Sequence, residues 1–299
     1  MRCIICSCEG FEIAFAGVKD FEYETYQPVD HGRCPRCGVI AQYPLPHSSV
    51  IQTFYPPNYR NYQPDSQHLF SFFKKIEEYG LVRRLANIIG DNQSANILEI
   101  GCGSGSLLRA LQKRGFKNLS GSDFRTSSRQ ERGIRFVRGD IEARFPYEER
   151  FDVIIMINVI EHLLDPVEAL RKCRDHLFPG GKIIVMTPNA GSLALSLFGK
   201  YWAGFHAPRH IFLFNRKSLK KISKDIGLDQ VICHSTVEPG EWSISIQNIL
   251  QDAALGKTKL QNGLAWYTNV LSILLMPVAI LQNLTPKCAN IFCVFQKAG

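Results

Sequence analysis

The sequence predicts an α/β fold: a parallel sheet with helices on both faces, and a small cysteine-bearing module in front of it. Three observations carry that prediction. From residue 96 to 187, short apolar strands alternate with helical segments, a pattern that needs crossover connections and so a parallel sheet covered on both sides. The first of these strands runs into a glycine-rich turn, Gly101-Cys-Gly103-Ser-Gly105. Two C-x2-C pairs, Cys3–Cys6 and Cys34–Cys37, lie ahead of the alternating region with 27 residues between them.

Composition sets the outer limits. The chain has 299 residues, 45% of them hydrophobic and 21% charged, which is ordinary globular usage and excludes disordered, collagen-like and coiled-coil classes. The length allows one large domain, or one of roughly 200 residues with an appendage. No long apolar window is free of polar interruptions, so no spanning helix is expected. The Met1-Arg2-Cys3-Ile4 start lacks a secretory pattern, and a cytoplasmic chain is expected. Its ten cysteines should then be free or bound to metal rather than paired in disulfides.

Taken in order, the first 37 residues hold Cys3, Cys6, Cys8, Cys34 and Cys37. Each C-x2-C pair puts two thiolates on one tight turn, and two such turns complete a tetrahedron around Zn²⁺ with no position left for water. A structural zinc on Cys3, Cys6, Cys34 and Cys37 is expected, with Cys8 an alternative to Cys6 that spacing leaves open. So short a segment buries too little apolar surface to fold without the metal. Residues 40–64, rich in proline and tyrosine, read as an irregular connector. Apolar residues at helical spacing follow from Leu69 to Ile89.

Strands are then expected at Asn96–Ile100, Leu119–Asp123, Ile134–Asp140 and Phe151–Ile157, with helices at Ser106–Gly115 and Pro166–Leu177. Phe178-Pro-Gly-Gly181 reads as a turn into a strand at Lys182–Thr187. A basic helix at Ser218–Ile226 and strands near Val231–Thr236 and Ile291–Phe295 complete the order.

The chemistry gathers where strands meet turns. In an open α/β sheet, ligands sit outside the carboxyl ends of the strands, where strand order reverses. Gly101, Gly103 and Gly105 lie there and let the backbone approach an anion at the helix start. The spacing is not G-x-G-x-x-G, because Ser106 and Leu108 occupy the places of the last glycine, so a dinucleotide is disfavoured. Asp123 ends the second strand, where a carboxylate can accept two ribose hydroxyls. Asp140, with the Ile141 N–H beside it, can meet an adenine edge. Glu99 adds negative charge for an ammonium or sulfonium. Together these suit a ligand with an adenosine end and a positively charged amino-acid end.

These residues resemble the class I S-adenosylmethionine-dependent methyltransferases. Glu99-Ile-Gly-Cys-Gly-Ser-Gly105 is similar to the first motif of that family, Asp123 to the second and Gly139-Asp140-Ile141 to the third. Phe151-Asp-Val153 with Asn158-Val-Ile-Glu161-His162 resembles the fourth, and Leu177-Phe-Pro-Gly-Gly181 the entry to strand five. The resemblance implies a Rossmann-like, seven-stranded methyltransferase sheet whose last strand inserts antiparallel. It implies S-adenosyl-L-methionine as cofactor and adds Asn158 to the cofactor set. The domains expected are a zinc-binding domain at 1–46, a connector and helix at 47–90, and a methyltransferase domain at 91–299 with an insertion at about 240–286. In some quinone-precursor O-methyltransferases an acidic residue three places before the Glu-His pair helps hold a metal; here that place is Asn158, which puts a metal-assisted mechanism in doubt.

On the substrate side, Tyr201-Trp202-Ala-Gly204-Phe-His206-Ala-Pro208-Arg209-His210 resembles a W-x-G-x-x-x-P-R-H stretch of a zinc-knuckled subgroup of small-molecule methyltransferases. His210, His206 or His162 is the expected base, since imidazole suits neutral pH. Tyr201, Trp202 and Arg209 are the expected substrate contacts, Arg209 through a bidentate grip on an anion. A small-molecule acceptor, sugar- or nucleotide-linked, is expected, and charge supports an acidic one. The formal net charge is +8, yet the first 60 residues hold five basic and six acidic residues, while 106–150 hold 11 basic and six acidic. A zinc module gripping nucleic acid should be cationic, so nucleic acid is disfavoured as the partner. The rival readings are an RNA or protein methyltransferase that uses the zinc module for recognition, and a non-catalytic cofactor-binding module. The apolar run 264–284 is expected to be a buried helical insertion or a dimer contact, with an interfacial membrane helix as the alternative.

Overall fold

A computed structural model describes residues 2–24, 26–56, 69–253, 260 and 264–299. Two sheets organise it. The larger is built from β4 (Asn96–Ile100), β5 (Asn118–Asp123), β6 (Arg129–Glu131), β7 (Ile134–Arg138), β8 (Phe151–Ile157), β9 (Leu177–Pro188), β11 (Asp229–Thr236) and β12 (Asn290–Gln296). Their spatial order is β11-β12-β9-β8-β4-β5-β7-β6. Neighbours among β9, β8, β4, β5 and β7 are parallel. β12 is antiparallel both to β9 and to β11, as the family resemblance implied. The eighth strand, β6, is a three-residue antiparallel edge on β7 that the alternation did not indicate.

Apolar pattern decides where each element sits. In β8 every residue from Val153 to Met156 is buried, as a central strand covered on both faces requires. α2 (Ser106–Lys113) buries Leu107, Leu108 and Leu111 on one face. α3 (Pro166–Asp175) starts with Asp165 accepting the Glu168 N–H at 2.9 Å and Pro166 at its first position, the standard helix-start chemistry. α5 (Arg216–Asp225) carries an Asn215–Ser218 capping box. It buries Leu219 and Ile222 and leaves its lysines exposed. One expected turn is absent: Phe178–Gly181 lies inside the 12-residue β9. Gly180 takes φ +74° there, at a register shift against β8, so a bulge replaces the turn.

The smaller sheet has the order β1-β2-β3-β10, from β1 (Glu12–Val18), β2 (Val29–Arg33), β3 (Ile40–Gln42) and β10 (Phe212–Leu213). Its fourth strand comes from the far end of the chain, so the cysteine-bearing module shares a sheet with the core. Of the connector expected over 40–64, residues 40–42 are β3, 48–54 form a 3-10 helix, and 57–64 lie outside the described residues. α1 (Leu69–Ile89) follows, with Val82 and Leu85 buried.

The insertion before β12 comprises α6 (Gly240–Asp252), α7 (Thr268–Leu274) and α8 (Met276–Asn283), after α4 (Leu193–Phe198) and two short 3-10 turns. It corrects the buried reading of 264–284, while an exposed apolar face is what the dimer-contact and interfacial-helix alternatives required. Trp266, Leu274, Leu281 and Leu284 are exposed, whereas Glu241, Gln247, Thr268 and Gln282 are buried in a hydrogen-bonded set that includes Trp242 Nε1 to Gln282 and Gln282 to Glu241. Among the described residues, no helix is long and apolar enough to cross a membrane.

Candidate active site and cysteine cluster

A cleft of about 780 Å³ opens at the carboxyl ends of β4, β5, β7 and β8, on both sides of the point where strand order reverses. Its floor is the turn after β4. Gly101, Gly103 and Gly105 have φ of +73°, +49° and +84°, a region L side chains avoid. A Cβ on Gly101 would stand 2.4 Å from Val159 Cγ2, and one on Gly105 2.6 Å from the Phe136 ring. Glycine here therefore answers to both backbone shape and space.

Asp123 is buried at the end of β5. Its carboxylate accepts the Gly103 N–H at 3.1 Å and the Arg125 N–H at 2.8 Å, which ties the glycine turn to the next strand. Asp140 lines the cleft, is exposed, and accepts the Glu142 N–H at 2.9 Å. Ile141 and Asn158 also line the cleft, and Asn158 sits at φ +53°. Glu99 is buried in β4 just before the turn, outside the cleft lining, with Oε2 unbonded. Burial, reinforced by Asp123, holds its carboxyl well above the usual carboxylate range. An unsatisfied buried carboxylate oxygen is costly, and the raised value reflects that cost.

On the opposite wall stands His162, which follows β8. Its Nδ1 lies 3.0 Å from the Arg209 carbonyl and 3.1 Å from the Tyr55 hydroxyl. Burial pulls His162 down to about 3 and His210 well below its ordinary value, so both rings are neutral at pH 7. The His210 Nδ1 lies 2.8 Å from the Gly204 carbonyl, and its ring meets that of His162 edge-on at 4.6 Å. With Nδ1–H spent on a carbonyl in each ring, Nε2 is left as the acceptor. His210 stands behind His162 and is not part of the cleft lining. Beneath them Glu161 is fully buried and accepts Thr187 Oγ1 at 2.9 Å, and burial raises its carboxyl to about 8. One ligand atom from each of Glu161, His162 and His210 falls within 4.8 Å of the others.

A family profile described as "Methyltransferase domain" matches residues 73–233, more than half of the chain. The chain belongs to the methyltransferase-domain family. It is an S-adenosylmethionine-dependent methyltransferase. It is 28% identical over 170 residues to a ubiquinone biosynthesis O-methyltransferase of Cereibacter sphaeroides strain KD131, covering 52% of this chain and 68% of that one. To the enzyme of the same name from Coxiella burnetii strain Dugway 5J108-111 it is 32% identical over 103 residues, 31% of this chain and 44% of the other. Among solved structures it is similar to magnesium protoporphyrin IX methyltransferase from Synechocystis PCC 6803 with bound S-adenosylhomocysteine, at TM-score 0.48 and 13% identity over 80% of this chain and 92% of that one.

The methyltransferase treats the remaining substrate-side residues differently from the expectation. Arg209 is buried, 3.4 Å from Asp20 Oδ1 and 3.1 Å from Glu22 Oε2, with its guanidinium over the Tyr23 ring. It therefore joins the N-terminal module to the core, and its charge is already spent there. Trp202 is buried and donates Nε1–H to Glu241 at 2.6 Å. The Tyr201 hydroxyl donates to Asp252 at 2.7 Å. His206 turns to Glu22. None of these four side chains lines the cleft; Arg209 acts on it through its carbonyl, which meets His162. Sequence reasoning missed Arg125 and Thr187, and left Tyr55 among connector aromatics that pack modules together or serve as a lid. Tyr55 packs on Phe124 at 5.6 Å and closes the cleft over His162; its place in a proline-tyrosine connector was the available signal.

Cys3, Cys6, Cys34 and Cys37 are all buried and mutually close, with Sγ separations of 3.6 Å for Cys3–Cys37 and 3.5 Å for Cys6–Cys34. Zn–S bonds of about 2.3 Å set tetrahedron edges of about 3.8 Å, so the four sulfurs fit that ion. Cys8 lies outside the cluster and directs its thiol to the Glu9 carbonyl. Gly38 (φ +74°) follows the second knuckle, and Asn215 Nδ2 donates to the Cys37 carbonyl at 3.1 Å.

Proposed function

We propose that the enzyme transfers a methyl group to a small-molecule acceptor, phosphorylated or nucleotide-linked, with a structural zinc behind the site. The observation that carries this is the single cleft shared by the glycine turn, Asp123, Asp140 and His162. Gly101, Gly103 and Gly105 admit the amino-acid end of the cofactor, with the unsatisfied Glu99 carboxyl below. Asp123 accepts the ribose hydroxyls, and Asp140 with Ile141 meets the adenine edge. Asn158 lines the passage between the cofactor and His162.

Once bound, S-adenosylmethionine supplies an already activated methyl group. What the chain adds is alignment, which is worth about 7–11 kcal/mol in favourable cases, and removal of a proton where the acceptor carries one. His162 takes the proton-transfer role by position, because it lines the cleft and is fixed in one tautomer by the Arg209 carbonyl; held down to about 3 it is a weak base, which suits an acceptor whose proton is already acidic. His210 and Tyr55 hold that ring in place. Arg125 and Arg138 line the same cleft and supply the cationic grip that Arg209, committed elsewhere, does not.

Zinc on Cys3, Cys6, Cys34 and Cys37 would fill four positions with thiolate and leave no open site, so its contribution is to folding. Calorimetry with S-adenosylhomocysteine tests the cofactor assignment. Binding that is measurable in the parent and lost in Asp123→Ala is expected; equal affinity in both would sink it.

A further inference from the structure

At the β11–β12 edge, outside the cleft lining, three cysteines converge on one arginine. Cys233 and Cys293 sit directly opposite each other in the antiparallel pairing, with Cys293 Sγ 3.2 Å from Cys233 Sγ. Arg216, the first residue of α5, lies against the pair. Its Nη1 is 3.1 Å from Cys233 Sγ and donates to the Cys233 carbonyl at 3.0 Å. Its Nη2 reaches Ser235 Oγ at 3.1 Å and Cys288 Sγ at 3.7 Å. Cys288 and Cys293 are fully buried, and Cys233 alone of the three keeps solvent exposure.

We propose that Cys233 and Cys293 form a redox-active dithiol that reacts with peroxide-class oxidants, Cys233 as the attacking thiolate and Cys293 as the resolving thiol. In the first step Cys233 thiolate attacks one peroxide oxygen, the O–O bond breaks, and with one proton taken up the products are Cys233 sulfenic acid and water. In the second, the Cys293 sulfur displaces the sulfenic hydroxyl, its proton leaves with that hydroxyl as water, and an S–S bond forms. Two electrons pass from the thiols to the peroxide.

The strands are placed for the second step. Directly opposed residues of an antiparallel pair have Cα atoms about 4.5–5.5 Å apart, within the roughly 4.4–6.8 Å that a disulfide spans, and the two sulfurs already stand 3.2 Å apart. The first step follows from electrostatics. The hydrogen bond from Cys293, with the Arg216 guanidinium, holds the Cys233 thiol down to about 6. At pH 7 a larger share of it is therefore thiolate than the few per cent of an ordinary cysteine. Lower basicity returns about a factor of ten in intrinsic nucleophilicity, so a reaction rate a few-fold above that of a free cysteine is expected. Other buried thiols are held back: burial raises Cys173 to about 12, and raises Cys102 as well.

The zinc-loaded full chain, treated with one equivalent of hydrogen peroxide and digested, should yield a peptide linked Cys233–Cys293 that dithiothreitol reverses. Iodoacetamide labelling of Cys233 should titrate with a midpoint near pH 6. Cys293→Ser should leave a Cys233 sulfenic acid that dimedone traps. An oxidised protein without the linked peptide, or a labelling midpoint above pH 8, would overturn the proposal. Both readouts use the parent protein, so they decide the matter even if a variant fails to fold.

Discussion

Replacing Arg209 with methionine separates a structural clamp from a substrate contact. The Arg209 and Asp20 side chains are each 1% exposed and that of Glu22 18%, so the substitution removes the guanidinium between two carboxylates in a poorly hydrated pocket. Breaking a buried pair in this way costs about 3–5 kcal/mol. With an unfolding entropy of about 2.1 cal/mol/K per residue, a chain of this length loses roughly 1.6 °C per kcal/mol, which gives a fall in Tm of about 5–8 °C. Urea unfolding should report the same loss, and S-adenosylhomocysteine affinity should stay within about threefold, because His162 is held by the carbonyl of residue 209, which methionine retains. The double variant Arg209→Met/Asp20→Leu should recover part of the loss. An Arg209→Met protein as stable as the parent, yet unable to turn over acceptor, would refute the clamp and return Arg209 to the substrate.

Gly101→Ala should weaken cofactor binding at least tenfold, read by calorimetry, because its Cβ falls on Val159 and φ is +73°. Removing metal with a strong chelator should unfold the N-terminal module and release one zinc per chain by elemental analysis; a metal-free chain with an intact fold would contradict the cluster assignment. The pH dependence of stability should have opposed limbs. His162, whose value falls to about 3, binds fewer protons folded than unfolded, so stability rises with pH up to about 6.5. Glu161, raised to about 8, binds more protons folded, so its contribution is present below about 4.5 and is lost as pH climbs to 8. Of these two groups only Glu161 acts above pH 6.5, contributing a fall of about 1–2 kcal/mol by pH 8, and Glu161→Gln, which keeps the acceptor for Thr187, should make the decline shallower in denaturant titrations.

The parallel core was readable because each of its signals is local. Buried strands are continuous apolar runs, helix starts carry their caps, and a glycine turn needs glycine wherever φ is positive. That Asp123, Asp140 and Asn158 line the cleft follows because a strand end fixes where its next residue points. Arg209 and Trp202 were misread for the opposite reason. Whether a buried arginine meets substrate or protein depends on Asp20 and Glu22, nearly 190 residues away, and no local pattern carries that pairing. The buried reading of the insertion failed on a different count. Composition over 264–284 suggested burial, but Thr268 and Gln282 face inward to a polar network while Leu274 and Leu281 face out, and apolar content alone does not say which face a helix hides.

The N-terminal module is also more than an appendage to the cleft. Residues 204–215 carry His206, Arg209 and His210, and the module packs along this stretch. Phe15 and His31 pack against Phe205, at 5.1 and 4.7 Å between ring centroids. Gln42 donates to the Pro208 carbonyl, β3 pairs with β10, and Asn215 holds the Cys37 carbonyl. The same stretch supplies the Arg209 carbonyl that sets the His162 tautomer and the Gly204 carbonyl that sets that of His210. A metal that folds the knuckles would thereby also fix the segment that orients two imidazoles more than 120 residues further along the chain. Loss of zinc should then act first on proton transfer through His162, with the glycine turn, Asp123 and Asp140, all supplied by the parallel sheet, still able to bind cofactor.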